Sequence, residues 1–173
     1  MLARDYWKAV TVDRSDLLGR FLAVLRELDA RFCVIGGQGV NAYADPLVSL
    51  DLDIVLATPD LARVEQALRE QFTLERFPHS LNVSLQGSDL RVQIQTDPRY
   101  APFVGRAAER EVLGVRLPVA SIEDVLQGKV WAAEDPTRRA SKRQKDLADI
   151  ARLLDQRPDL RARVPDTVLD RLI

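Results

Sequence analysis

Leu17, Leu18, Phe21, Leu22, Leu25 and Leu28 fall on one face of a 3.6-residue period, which predicts an amphipathic helix over Asp16–Ala30 with Ser15 or Asp13 as its cap. A short apolar run, Phe32–Ile35, follows and stops at Gly36-Gly37, as a strand entering a turn would. Two helical turns over Gln38–Ala44 are predicted before Asp45-Pro46 ends them. From Leu50 to Leu56 the pattern switches to period two. Asp51, Asp53 and Val55 share one face of that strand, and Leu50, Leu52, Ile54 and Leu56 share the other. Thr58 and Pro59 suit the N-cap and first position of a helix with Leu61, Val64 and Leu68 as its buried stripe. Leu81–Leu85 and Leu90–Gln95 alternate around the turn residues Gln86 to Asp89, which predicts a hairpin. A second, smaller hairpin is predicted around Leu113-Gly114. Ser121 and Asp124 form a capping-box pattern opening a helix over Ile122–Glu134. Helices over Lys142–Leu154 and Asp166–Ile173 complete the reading. The pattern predicts an α/β (α+β) core, a mixed central sheet flanked by helices over residues 1–118, with a helical C-terminal extension over 119–173.

At 173 residues the chain is long enough to bury a substantial core, and 46% apolar with 29% charged residues is an ordinary globular balance. No run of eighteen apolar residues is present, so no membrane span is expected. The first ten residues carry charges around a short apolar patch and have no signal-peptide core, which points to a cytoplasmic protein. Cys33 is the only cysteine and His79 the only histidine, which excludes an intrachain disulfide and a zinc knuckle and leaves little support for histidine-based triads. The net charge of −1 argues against a strongly electrostatic nucleic-acid binder. That average hides a cluster: five of the eight residues from Arg138 to Lys145 are basic, either a solvated helix start or a phosphate-facing patch.

Gly37 to Ala42 formally matches the G-x-G-x-x-A dinucleotide fingerprint, but only eight residues separate Ala42 from Asp51. A dinucleotide unit needs a full helix and a second strand with an acid at its end. The two aspartates open their strand instead. Carboxylates at i and i+2 of a strand lie roughly 6.5–7 Å apart at the backbone and can converge on one divalent cation. Mg²⁺ takes hard oxygen ligands and commonly bridges one or two carboxylates to substrate phosphates. Glycines nearby let backbone approach those phosphates, and a following helix offers free N–H groups. An exposed strand face with two solvated aspartates is the bland alternative, and it leaves the glycines without a reason.

Ile35-Gly36-Gly37, a gap of thirteen residues, then Asp51-Leu52-Asp53-Ile54 resembles the signature of the nucleotidyltransferase superfamily with the polymerase-beta-like fold. Ser49, two residues before Asp51, also suits that pattern. The segment Leu126 to Leu153 resembles the Lys…Arg…Lys-Asp…Asp tail of the abortive-infection toxin branch (AbiEii and MenA type), whose members transfer nucleotides. The resemblance spans residues 20–155. It implies that Gly36, Gly37 and Ser49 contact a nucleoside triphosphate, that Asp51 and Asp53 hold Mg²⁺, and that Lys129 and Asp146 line the site. Arg143 and Lys145 would neutralise phosphate charge. The implied acceptors are transfer RNA or another RNA, a protein or a small molecule, and a toxin–antitoxin role would add a cognate protein partner. Beside this stands a plainer reading, in which Lys129 is a surface residue and Asp146 and Asp149 pair with Lys142 and Lys145 on a solvated helix.

The superfamily usually supplies a third carboxylate from a later strand. Here that place falls on Gln93 or Gln95, and glutamine cannot serve as a carboxylate base. Asp97 shares their face if the strand continues, about 7 Å beyond Gln95 and about 13 Å beyond Gln93. Three roles follow: an active transferase with two aspartates, a degenerate relative that binds nucleotide or RNA without turnover, or a protein-binding partner. Trp7, Trp131, Tyr43 and Tyr100 can stack on a base, but such aromatics are more often core.

Overall fold

The computed structural model describes residues 15–172; Trp7, the capping candidate Asp13 and Ile173 lie outside them. The first helix is α1, Leu17–Glu27. Asp16, not Ser15, occupies its N-cap position, in a left-handed conformation with φ 52°. The helix ends three residues before Ala30 because Asp29 also turns left-handed, at φ 49°, and Ala30 N–H returns to the Leu25 carbonyl. Strand β1, Phe32–Ile35, runs directly into a six-residue helix α2, Gly36–Asn41. That helix starts two residues earlier than the pattern predicts, so both glycines belong to its first turn. Strand β2 is Asp51–Leu56. Leu50 does not join the buried aliphatic face predicted for it; it is 41% exposed in the loop before β2.

Thr58–Asp60 form a 3-10 turn before helix α3, Leu61–Arg69. Thr58 makes no cap; the Asp60 carboxylate instead accepts from Arg31 N–H at 2.9 Å, tying the helix to the start of β1. The hairpin over residues 80–95 forms as predicted, from β4, Ser80–Ser84, and β5, Arg91–Gln95. It gains an outer strand, β3, Thr73–Phe77, whose residues are mostly exposed and so lack the alternation that would have announced it. A short helix α4, Phe103–Arg106, leads to the second hairpin, β6, Ala108–Val112, and β7, Val115–Val119. Leu113 and Gly114, at φ 55° and 75°, make its two-residue turn.

Helix α5, Ile122–Glu134, begins at Ser121, whose Oγ accepts from Asp124 N–H at 3.2 Å. The reciprocal half of the predicted capping box is missing, because the Asp124 carboxylate pairs with Arg106 at 2.8 and 2.9 Å. Ser121→Ala is expected to lower stability by about 1 kcal/mol, measurable as a reduced urea midpoint with unchanged slope. Helix α6, Ala140–Gln156, exceeds its predicted span at both ends, and a 3-10 segment, Pro158–Arg163, separates it from α7, Asp166–Leu169.

Among the described residues the sheet has seven strands in the order β3-β4-β5-β2-β1-β7-β6. The β2/β5 and β1/β7 pairs are parallel and the rest antiparallel. One face packs α1 and α3 through Phe21, Leu25, Val64 and Leu68 against Leu52, Ile54 and Ile94. The other packs α5 and α6 through Val125, Leu126 and Ile150 against Cys33, Ile35 and Val55. Val55, on the aspartate face of β2, is 2% exposed, so that face is roofed by the C-terminal helices rather than open to solvent. Cys33 sits fully buried in this second layer.

Candidate nucleotide site

Three adjacent strands bring Ile35, Asp53 and Gln93 side by side, because Ile35 pairs with Asp53 on β2 and Asp53 with Gln93 on β5. Immediately after Ile35 the chain turns through Gly36 at φ 64°, a conformation that costs a residue with Cβ roughly 1–2 kcal/mol. A Cβ there would also lie 2.2 Å from Asp53 Oδ2. Glycine is thus required twice over, by the turn and by the carboxylate lying against it. At Gly37 an added Cβ would meet only Ser49 Oγ, at 3.8 Å.

The polar residues of α2 hold the loop that delivers the aspartates. Asn41 brackets Leu47, accepting from its N–H at 3.0 Å and donating to its carbonyl at 2.7 Å. The buried Gln38 accepts from Asn41 Nδ2 and donates to the Ser49 carbonyl. Ser49 Oγ accepts from Asp51 N–H at 3.3 Å, setting the start of β2. Arg152 on α6 donates to Asn41 Oδ1 and to the Asp45 carbonyl, so the far helix braces the same loop.

Asp51 and Asp53 differ in environment. Asp51 is 40% exposed at its side chain and pairs with the exposed Arg91 at 3.1 Å. Asp53 Oδ1 is enclosed and has no hydrogen-bond partner. Burial pushes the Asp53 carboxyl up to about 6, with Lys129 opposing and Asp51 adding to the shift. Its folded value therefore exceeds the unfolded one, near 3.8. Below about pH 4 both states hold the proton; between there and about pH 6 only the folded state does, and stability falls as pH rises through that window. Asp53→Asn is expected to raise stability at pH 7.5 in metal-free buffer by about 1–3 kcal/mol, the gain vanishing near pH 4. Urea titrations at the two pH values check it, and an equal effect at both would contradict it.

Opposite Asp53, a cavity of about 100 Å³ is walled by Lys129 on α5 and by Arg138 and Asp146 at the α5–α6 turn and on α6. Lys129 is not a surface residue: it is 9% exposed and its Nζ lies 2.9 Å from Asp149 and 3.2 Å from Asp146. Burial pulls its pKa down, but the Asp149 and Asp146 carboxylates outweigh burial and the net shift is upward. Asp146, 1% exposed, also accepts from Arg138 at 2.5 and 3.3 Å. Asp149 pairs with Arg152. The plain expectation of pairs with Lys142 and Lys145 on a solvated helix is overturned, since both lysines are exposed and the aspartates turn inward to Lys129, Arg138 and Arg152.

Of the predicted site residues, Gly36, Asp53, Lys129 and Asp146 line this cavity; Gly37, Ser49, Asp51, Arg143 and Lys145 do not. Arg138 takes the inward position that Arg143 and Lys145 were expected to share. Its signal was present in the basic run, but the side that faces the sheet depends on where α6 begins. Tyr100 and the amides of Gln93 and Gln95 complete the wall. Asp97 does not take the place of a third acid. It caps the Pro98–Tyr100 turn and binds Arg99 at 2.9 and 3.0 Å, while its N–H donates to Gln95 Oε1. Trp131 stacks on Phe103 and carries Arg99 over its ring, and Tyr43 OH donates to the Ala120 carbonyl, so both serve packing.

The orphaned Asp53 Oδ1, the neighbouring Asp51 carboxylate and the Cβ-free cradle at Gly36 fit a hard divalent cation bound mainly by two carboxylates and phosphate oxygens. Among the described residues no group of three or more His, Cys, Asp or Glu could hold a metal; on two carboxylates, water or phosphate oxygens would complete the shell.

No protein-family model and no curated protein matches the sequence. Solved structures do. The lincomycin-bound lincosamide antibiotic adenylyltransferase LnuA superposes with a TM-score of 0.55 at 15% identity, over 83% of this chain and 99% of that one. ANT(2'')-Ia in complex with adenylyl-2''-tobramycin gives 0.55 at 14% identity, over 85% and 96%. An antigenic nucleotidyltransferase-like protein from Paracoccidioides brasiliensis gives 0.50 at 15% identity, over 94% and 100%. Likeness at such identities speaks for architecture alone, and with the seven-stranded mixed sheet and its flanking helices it shows that this chain has the polymerase-beta-like nucleotidyltransferase fold.

Proposed function

We propose that the protein is a Mg²⁺-dependent nucleotidyltransferase that moves a nucleoside monophosphate from a nucleoside triphosphate to an acceptor. The observation that carries this is the Asp53 carboxylate, its Oδ1 enclosed without a hydrogen-bond partner, pressed against Gly36 and sharing one cavity with the cations Lys129 and Arg138. Asp51 and Asp53 would hold the metal, which when bound supplies charge neutralisation for the triphosphate. Gly36, Gly37 and Ser49 present backbone and hydroxyl to phosphate oxygens. Lys129 and Arg138, held by Asp146, keep positive charge beside the transferring group. The acceptor oxygen attacks the α-phosphorus, the bond from that phosphorus to the bridging oxygen breaks, and pyrophosphate leaves. Gln93 is neutral, so the acceptor proton passes to water or to a substrate phosphate oxygen. In such sites positioning and charge neutralisation carry most of the rate.

In this reading residues 1–118 carry the metal and phosphate contacts and residues 119–173 close the site. The basic run at the start of α6, with Arg139, Lys142 and Lys145 exposed and the Lys142 charge acting on Asp53, favours an RNA acceptor, transfer RNA among them, in the cytoplasm where both substrates occur. The Lys129–Asp146 pair supports kinship with the abortive-infection toxin branch, and with it a cognate protein partner. Gln93 at the third-acid place favours a second reading, a nucleotide binder without turnover.

The test is incubation of the purified protein with each labelled triphosphate, Mg²⁺ and total transfer RNA, beside Asp51→Ala and Asp53→Asn. Transfer lost in both variants supports the transferase. Mg²⁺-dependent binding lost in both, without transfer, supports the second reading. Neither signal sinks both.

A further inference from the structure

At the opposite end of β1 from Gly36 lies a cleft of about 360 Å³ that the reading above does not use. It opens where two parallel strands part: β1 and β7 pair only at Val34–Val119, and below that point Arg31 and Phe32 separate from Arg116 and Leu117. Its floor is apolar, built from Leu22, Phe32 and Leu117. Its rim carries three guanidinium groups, Arg26 from the last turn of α1, Arg31 from the turn before β1, and Arg116 from β7. One carboxylate, Glu109, faces them. It meets Arg116 at 3.7 Å with the two side chains 61% and 70% exposed, a contact that contributes little and yields easily. Among the described residues neither Arg26 nor Arg31 makes an ion pair within 4 Å, although the Arg31 charge also acts on the Asp60 carboxylate. Three arginines lining one apolar-floored cleft favour an anion between them.

The geometry points to a binding site for a small organic anion: one carboxylate, sulfonate or phosphate head held by Arg26, Arg31 and Arg116, with an aromatic or short aliphatic body on Phe32 and Leu117. The volume lies within the range of about 300–1,000 Å³ common to small-molecule sites, whose mostly apolar walls carry a few orienting polar groups. Guanidinium forks suit such heads because they donate two parallel hydrogen bonds to a planar or tetrahedral oxyanion. The site stands apart from the aspartates and needs no nucleotide.

The test uses 8-anilinonaphthalene-1-sulfonate, a sulfonate on an aromatic body, titrated by fluorescence into the full chain. One saturable site is expected. The double charge reversal Arg26→Glu with Arg116→Glu should weaken it at least about tenfold, and the milder Arg26→Gln with Arg116→Gln by less. The uncharged N-phenyl-1-naphthylamine should bind the wild type at least about tenfold more weakly. Amide resonances of Phe32, Ala107 and Leu117 should shift on dye addition. An unchanged titration in the charge reversal, equal binding of the neutral dye, or shifts confined to Leu47–Leu50 would overturn the assignment. Mg²⁺-dependent nucleotide binding should survive in both cleft variants, so this site and the nucleotide site fail or succeed separately.

Discussion

Lys129→Met is expected to lower the unfolding free energy by about 3–5 kcal/mol, since it leaves the buried Asp146 carboxylate without its better-enclosed cation. Asp146 is 1% exposed and would keep only Arg138, itself a third exposed, while Asp149 would retain Arg152. The two aspartates would then repel across the gap. Chemical denaturation at pH 7 measures the loss directly. The double change Lys129→Met with Asp146→Leu should recover part of it, because a well-packed apolar pair avoids the desolvation that the ion pair only offsets. A loss below about 1 kcal/mol in the single variant would mean that water or Arg138 already satisfies Asp146, and the buried-network account would be wrong.

Gly36→Ala has the larger expected effect on binding. Left-handed φ adds roughly 1–2 kcal/mol of strain, and the new methyl would sit where Asp53 Oδ2 now lies, at 2.2 Å. Either the turn or the carboxylate must move, and both belong to the proposed phosphate and metal contacts. Isothermal titration with Mg²⁺ and a non-hydrolysable triphosphate should show affinity at least about tenfold weaker. Gly105→Ala on α4 is the control. Its Cβ would meet nothing within 4 Å, so binding within about twofold of the wild type is expected. Equal losses in both variants would point to general damage and not to the Asp53 cradle.

Much of this could be read along the chain because local pattern and tertiary role agree there. The β2 alternation is visible since Leu52, Ile54 and Leu56 face one core and the aspartates take the opposite face. The β6–β7 turn is visible since Leu113-Gly114 interrupts two extended runs. The Asp51–Asp53 spacing reads directly because strand geometry turns i, i+2 into a shared face. What stayed hidden depends on long-range placement. Strand β3 is an edge strand with four of its five residues exposed, so no core imposes a period on it. The inward turn of Asp146 and Asp149 follows from where α6 crosses α5, and i, i+4 neighbours on α6 itself suggested other partners. Arg138 was one of five basic residues in a run, and only the α5–α6 turn singles it out. Asp97 looked continuous with β5, yet Pro98 ends the strand and turns its carboxylate into a cap.

Cys33 lies fully buried at the centre of β1, one strand away from Asp53 and shared by no other cysteine in the chain. Burial, with the Asp124 charge adding to it, pushes its thiol up to about 12, so a negligible fraction is thiolate at neutral pH. A disulfide reagent therefore meets a reactive sulfur only when the sheet opens around it. Labelling kinetics under native conditions then become a clock for the opening of the sheet at β1, readable by mass without any engineered probe. The same clock should slow when a ligand holds Asp53 and Gly36 in place, which gives each substrate candidate a stability readout that does not depend on turnover.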